Sequence, residues 1–286
     1  MRDMRWLSCL VACVISIGLM ESHGSVTTYG DAFTLASGND YGAVYGTIPT
    51  NVPPSGETAI EWKKTTRPGW GHSFIIEDAG GEHGGVLRAN DLDTSTGTRV
   101  INYAENIDLS QTVAFNNGGE KNVLWSITFD MNRNGNTYNW FWIYANYDDA
   151  TGNGLGILFN FGGAQIKFIE NGVESETIGN PGLVMGSMGN WASFLFERYD
   201  DGTIRIAKTS GGQAGAGGDF DVTLALSNSN YPTGGTIAVG ILANTGTPNP
   251  LYIDNLKVVV AAIPEPGTVS LLALVALGAM VYRRRS

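Results

Sequence analysis

The chain is poor in thiols, in imidazoles and in charge. Among 286 residues it has two cysteines and three histidines, and charged residues make up 15%. Both cysteines, Cys9 and Cys13, lie in an N-terminal apolar stretch. Once that stretch is removed, the chain has no disulfide and no thiolate metal site. The histidines left after Gly24 are His72 and His83, which excludes a His-rich metal centre and makes any Ser-His-Asp triad depend on one of these two. No Gly-x-Ser-x-Gly elbow, phosphate-binding glycine loop or zinc-protease motif occurs. Nor is there an amphipathic helical period anywhere between residues 25 and 262. Basic residues are scarce too. Of 17 Lys+Arg and 27 Asp+Glu, Arg2, Arg5, Arg283 to Arg285, Asp3, Glu21 and Glu265 lie in the terminal segments, leaving 12 basic against 24 acidic residues in 25–262. A domain near −12 does not suit nucleic acid or anionic membrane surfaces as partners. It suits an extracellular protein with neutral or cationic ligands.

What is present begins with an export signal. Arg2 and Arg5 form a basic region diluted by Asp3, Trp6 to Met20 an apolar one, and Ser22-His23-Gly24 offers the small residues a signal peptidase reads. Residues 1–24 are therefore expected to be a signal peptide cleaved after Gly24. Leu10-Val11-Ala12-Cys13 has the form of a lipoprotein cleavage box, but cutting there leaves seven apolar residues before the cysteine and a long apolar run after it. An uncleaved N-terminal anchor is the other alternative.

The 39 glycines and the alternation of apolar and polar residues favour strands and turns. Val123, Trp125, Ile127 and Phe129 alternate with Leu124, Ser126, Thr128 and Asp130, the period of two of a half-buried strand. Asn171-Gly172 between two such runs is a hairpin signal, and Asp200-Asp201-Gly202 is a second. Ser25 to about Pro54 reads as an edge strand and a proline-containing loop. About a dozen strands predict an all-β sandwich or barrel over 25–262, long enough for a core without cross-links.

Tyr138-Asn139-Trp140-Phe141-Trp142-Ile143-Tyr144 is the densest aromatic run. As a strand it places Tyr138, Trp140, Trp142 and Tyr144 on one face and Phe141, Ile143 and Ala145 on the other. The second face suits the core. The first is either a platform on which sugar rings stack, with phenol and indole tips donating hydrogen bonds, or a second buried face. Asp130 to Gly135 matches half of a calcium loop, but Phe141 stands where the bidentate glutamate belongs, so a polar hairpin turn is expected there. Asp148, Asp149 and Asn153 form an oxygen-rich loop that calcium fits, and Asp254 is a further candidate ligand or a structural acceptor. No other cofactor is expected. Glu174 and Glu176 share a strand face at roughly 7 Å, a spacing between those of retaining and inverting glycosidase acids, at a hairpin tip where solvated acids are usual.

The last 24 residues are the most specific part of the chain. Pro264-Glu265-Pro266-Gly267 is held extended, because proline fixes φ and lacks an N–H. Thr268 to Tyr282 is apolar and rich in Leu, Ala and Val, reaching roughly 22 Å as a helix against about 30 Å of hydrocarbon. Arg283, Arg284 and Arg285 close the sequence and set its orientation, positive side cytoplasmic. This order of features resembles the PEP-CTERM sorting signal of Gram-negative bacteria. The resemblance implies membrane anchoring by a transmembrane helix, recognition of the Pro-Glu-Pro motif by an exosortase, and delivery to the surface or to the polysaccharide matrix of a biofilm. An ordinary tail anchor with a proline-containing stalk is the alternative. Leu251 to Val258 and Trp191 to Thr203 are similar in pattern to the jelly-roll domains of the concanavalin A-like and laminin G-like lectin group, which implies a two-sheet sandwich with a ligand-carrying concave face. Glucanases of that fold carry Glu-x-Asp-x-x-Glu on one strand, which is absent here. The resulting expectation is a signal peptide (1–24), a β-sandwich (25–262) and a sorting tail (263–286) in a non-enzymatic surface protein that binds extracellular polysaccharide. The alternatives are a glycoside hydrolase or lyase on the same fold and a purely structural or adhesive protein.

Overall fold

The computed structural model describes residues 25–35, 41, 44–45, 47–49, 52–65, 74–79, 83–89, 99–133, 140–160, 165–179, 191–211, 220–227, 234–242 and 251–262. Residues 26–261 belong to one compact unit. The expected signal peptide, the Pro-Glu-Pro motif, the apolar tail segment, Arg283 to Arg285, Tyr138 and His72 lie outside the described residues. Among the described residues no helix is long and apolar enough to cross a membrane.

In chain order the strands begin with β1 (Ser25–Asp31), β2 (Val44–Tyr45), β3 (Thr58–Ala59), β4 (Trp62–Lys64), β5 (Phe74–Asp78), β6 (Gly85–Ala89) and β7 (Arg99–Ala104). A 3-10 turn at Leu109–Gln111, capped by the Asp108 carboxylate, precedes β8 (Phe115–Asn116), β9 (Asn122–Arg133) and β10 (Trp140–Asp148). Then follow β11 (Asn153–Asn160), β12 (Gln165–Glu170), β13 (Val173–Gly179), β14 (Ala192–Tyr199) and β15 (Thr203–Gly211). The chain closes the fold with β16 (Asp221–Ala225), β17 (Thr236–Leu242) and β18 (Leu251–Ala262). The larger sheet runs β16-β15-β14-β9-β18-β6-β5-β2, with β1 and β8 joining β18 and β9 and β3 joining β1. The smaller runs β13-β12-β11-β10-β17-β7-β4. The protein is thus all-β, a two-sheet sandwich of the jelly-roll kind. Eighteen strands are described where about a dozen were expected, chiefly because β2, β3, β4 and β8 are two or three residues long and too short to show a period. β1 is flanked by β18 and β3 and so is not the edge strand expected.

Alternation accounts for the core. From β9, Trp125, Ile127, Phe129 and Met131 enter it, and from β14 come Ala192, Phe194 and Phe196, all at most 1% exposed. At its centre the ring of Phe129 meets Phe141, Phe159 and Phe194 at centroid distances of 6.1, 5.7 and 5.4 Å. Two of the three contacts are edge-on, a favourable arrangement of ring quadrupoles.

Turn chemistry sets the register. Asn171 and Gly172 have φ of +52° and +78°, the two left-handed residues that a tight hairpin between β12 and β13 requires. In the turn from β14 to β15, Gly202 has φ of +83°, and the Asp201 carboxylate accepts from the Thr203 N–H and hydroxyl. Asp130 to Arg133 is not a hairpin turn. Asp130, Met131 and Asn132 sit inside β9, paired with β18 on one side, and Asp130 and Met131 pair with β14 on the other. The backbone of the motif from Asp130 to Arg133 is thus taken up by strand pairing, and Asn134 and Gly135 lie outside the described residues.

Candidate functional site

The aromatic run is the middle strand of the smaller sheet, with β10 paired to β11 and β17. Phe141, Ile143 and Ala145 enter the inter-sheet core, while Trp142, Tyr144 and the half-buried Trp140 belong to a second apolar cluster on the other face. A bulge at Asn146, φ +51°, breaks the alternation and brings Tyr147 into that second cluster. The Asn146 side chain accepts from the Trp125 indole at 3.2 Å and donates to the Gly234 carbonyl at 3.2 Å. Tyr144 lies opposite Gly156, and a Cβ there would stand 2.6 Å from its ring, so the missing side chain is what lets the ring lie flat. Trp142 and Tyr144 are 3% and 5% exposed. A ring that stacks on a sugar must show its face, so Trp142 and Tyr144 do not serve as a platform, and of the expected rings among the described residues the half-buried Trp140 is left.

Two of the calcium candidates, Asp148 and Asp149, already accept hydrogen bonds within the chain. Asp148 accepts from the Ala150 N–H at 3.0 Å and the Thr151 hydroxyl at 2.7 Å, which makes it the cap of its own turn. Asp149 accepts from the Tyr147 phenol at 3.3 Å and from the Thr65 hydroxyl. Asn153 stands across the strand pair from Asp148. Asp254 belongs to the other sheet. Among the described residues no group of three or more His, Cys, Asp or Glu is arranged to hold a metal. Glu174 and Glu176 are exposed on β13, with Glu174 paired to Lys167 at 2.5 Å.

Two polar constellations lie on the larger sheet, and of their members the sequence had singled out Asp254 alone as a candidate ligand. The first surrounds Asp254, 1% exposed on β18, whose Oδ2 is 2.8 Å from His83 Nδ1. The His83 ring stacks on Trp191 at 4.0 Å and 18°. Burial pushes the Asp254 carboxyl up to about 8; the Asn255 N–H pulls it down, and the charges of Asp130 and Asp31 add to the rise. Asp130, opposite Asp254 in register, accepts from Ser193 at 2.5 Å and from Asn255 at 2.8 Å.

The second constellation is a groove of about 660 Å³ on the face of this sheet turned away from the core. Its floor is a cross-strand row, Glu197 of β14, Arg205 of β15 and Thr223 of β16, each directly opposite the next, with the buried Ser126 of β9 opposite Glu197 on its other side. Glu197 is 6% exposed and accepts from Asn117 at 3.2 Å, Ser126 at 3.1 Å and the Tyr199 phenol at 3.2 Å. Arg205 makes a two-pronged contact with Asp221, at 2.8 and 2.7 Å, and comes within 3.6 Å of Glu197. The Asp221 contact raises the guanidinium's affinity for its proton and holds the Asp221 carboxyl below its ordinary range. One wall is the segment from Asn117 to Lys121. It is pinned where Lys121 meets Asp201 at 2.6 Å and lies 5.1 Å from the centre of the Tyr199 ring. Hydrogen bonds from Lys121 and Thr203 hold the Asp201 carboxyl down to about 2. No local sequence pattern announces this groove, because its groups come from four strands and a loop.

No curated protein matches the chain. Among solved structures, it is similar to a protein of unknown function from Shewanella oneidensis MR-1, at 12% identity over 88% of this chain and 93% of that one, with a TM-score of 0.50. This likeness shows a common fold. Weaker alignments reach a carbohydrate-binding module from Bacillus subtilis, at 12% identity over 68% of this chain and 94% of that one (TM-score 0.40). Lectin I from Ulex europaeus, solved with the methyl glycoside of α-L-fucose, aligns at 9% identity over 82% of this chain and 98% of that one (TM-score 0.48). In the sequence itself, residues 262–285 match the PEP-CTERM protein-sorting motif, and the chain is one that carries this sorting motif behind a two-sheet β-sandwich.

Proposed function

We propose that this is an exported protein, cleaved from a signal peptide and held by its C-terminal apolar helix until an exosortase acts at Pro264-Glu265-Pro266. Its β-sandwich then binds extracellular polysaccharide at the cell surface or in the matrix, without cleaving it. The match of residues 262–285 to the sorting motif carries the sorting half of this reading. The excess of acidic residues supports an uncharged or cationic partner and disfavours nucleic acid.

Processing tests the sorting half of the proposal. Replacing Pro264 and Pro266 by alanine leaves the apolar segment and the arginines intact but removes the two residues that keep the site extended. The variant is expected to be exported and to remain cell-associated at full size, while the parent yields a shorter form. The measurement is the size of cell-associated and released chains on a denaturing gel. Indistinguishable processing of variant and parent would end the exosortase assignment.

A further inference from the structure

We propose that the groove floored by Glu197 and Arg205 is the saccharide site, and that it takes a neutral, hydroxyl-rich segment of a glycan. The inference rests on the polysaccharide-binding reading above and adds to it a place and a ligand chemistry.

Size and order come first. A volume of about 660 Å³ lies within the roughly 300 to 1,000 Å³ of small-ligand sites. The floor is fixed before any ligand arrives, since Glu197 accepts from three side chains drawn from three segments of the chain. The wall is fixed as well, because Lys121 ties it to the turn before β15. Binding to groups already held in place avoids the cost of ordering them.

Charge then selects the ligand. Both cations of the groove are committed, Arg205 to Asp221 and Glu197, and Lys121 to Asp201. A carboxylate, sulfate or phosphate would have to displace one of these carboxylates and lie beside the others. A hydroxyl meets no such conflict, because it donates to one neighbour and accepts from another. The accessible polar groups suit that pattern: the Asp221 carboxylate accepts, the Asn117 amide does both, and the Arg205 guanidinium donates. Leu195, partly exposed between them, offers apolar surface to the C–H face of a sugar ring.

The wall supplies a test that leaves every polar group in place. Gly119 lines the groove, and a Cβ added to it meets nothing within 4 Å. Gly119→Leu therefore adds bulk at the groove's wall with no contact in the fold at its Cβ. The full-length chain, held in a neutral detergent, is run through native gels containing amylopectin, dextran, galactomannan or alginate, each mobility being taken relative to a polymer-free gel. The parent is expected to be retarded by at least one of the three neutral polymers and not by alginate. Asp221→Ala, Asn117→Ala and Gly119→Leu are each expected to weaken that retardation at least tenfold, with melting temperatures close to the parent's. Retardation of all three variants equal to the parent's overturns the groove while leaving polysaccharide binding in place; loss in Trp140→Ala instead would return the site to the aromatic strand. Retardation by alginate alone overturns the neutral ligand. A parent retarded by none of the four overturns both the groove and the reading it rests on.

Discussion

Trp142→Ala is expected to destabilise the protein by about 3 to 5 kcal/mol, as much as Phe141→Ala, although the two side chains leave β10 on opposite faces. Phe141 is fully buried between the sheets, with Phe129 and Phe159 at 6.1 and 5.8 Å. Trp142 is 3% exposed in the second cluster, edge-on to Trp140 at 6.0 Å. Truncating either side chain leaves a void that a strand paired on both sides cannot collapse to fill. Trp140 is only half-buried, and its alanine variant is expected to lose about 1 kcal/mol, as for partly solvated sites. Chemical denaturation of the three variants, at unchanged m-value, gives the comparison. Were Trp142→Ala to denature at the parent's midpoint, that face would be open and the aromatic strand would regain its claim to the ligand.

The division of the aromatic run into two faces was legible in the sequence because it depends on a strict period of two. Whether the second face is open or covered depends on what packs over it, and nothing in the run itself encodes that. The alternation also misleads past Ala145. The left-handed residue Asn146 inserts a bulge, so Tyr147 falls on the same side as Tyr144. Hairpins marked by Asn-Gly and Asp-Gly were readable, since the dipeptide itself satisfies the positive φ of the turn. The half calcium motif was misread as a turn because three polar residues within four also fit a strand whose outward face is hydrated or hydrogen-bonded.

Sites assembled across the sheet leave no such trace. Ser126, Glu197, Arg205 and Thr223 become neighbours only when β9, β14, β15 and β16 are laid side by side. Each alone reads as an ordinary polar residue of an alternating strand. The sorting motif is the opposite case. It is recognised as a linear segment, so its information is local, and it was complete in the sequence.

Asp254 is expected to make stability fall as pH rises from about 4 to about 8. In the fold, burial holds the Asp254 proton up to about 8, with the charges of Asp130 and Asp31 opposing its release. One of its oxygens, Oδ1, has no hydrogen-bond partner among the described residues, so nothing at that atom compensates an ionised carboxylate. In the unfolded chain the same group ionises near 4. Below that value both states hold the proton and the contribution is complete. Between the two values the unfolded chain has released a proton that the fold retains, so stability declines by roughly 1.4 kcal/mol per pH unit and levels off above 8. Asp254→Asn keeps the shape of the protonated acid and offers His83 Nδ1 a donor, but has nothing to release. The variant is therefore expected to match the parent near pH 4 and to exceed it by several kcal/mol at pH 8, in denaturation curves taken at each pH. Parallel curves for the two proteins would mean that Asp254 is ionised in the fold and paired with a protonated His83, and the stacking of His83 on Trp191 would then shelter an ion pair.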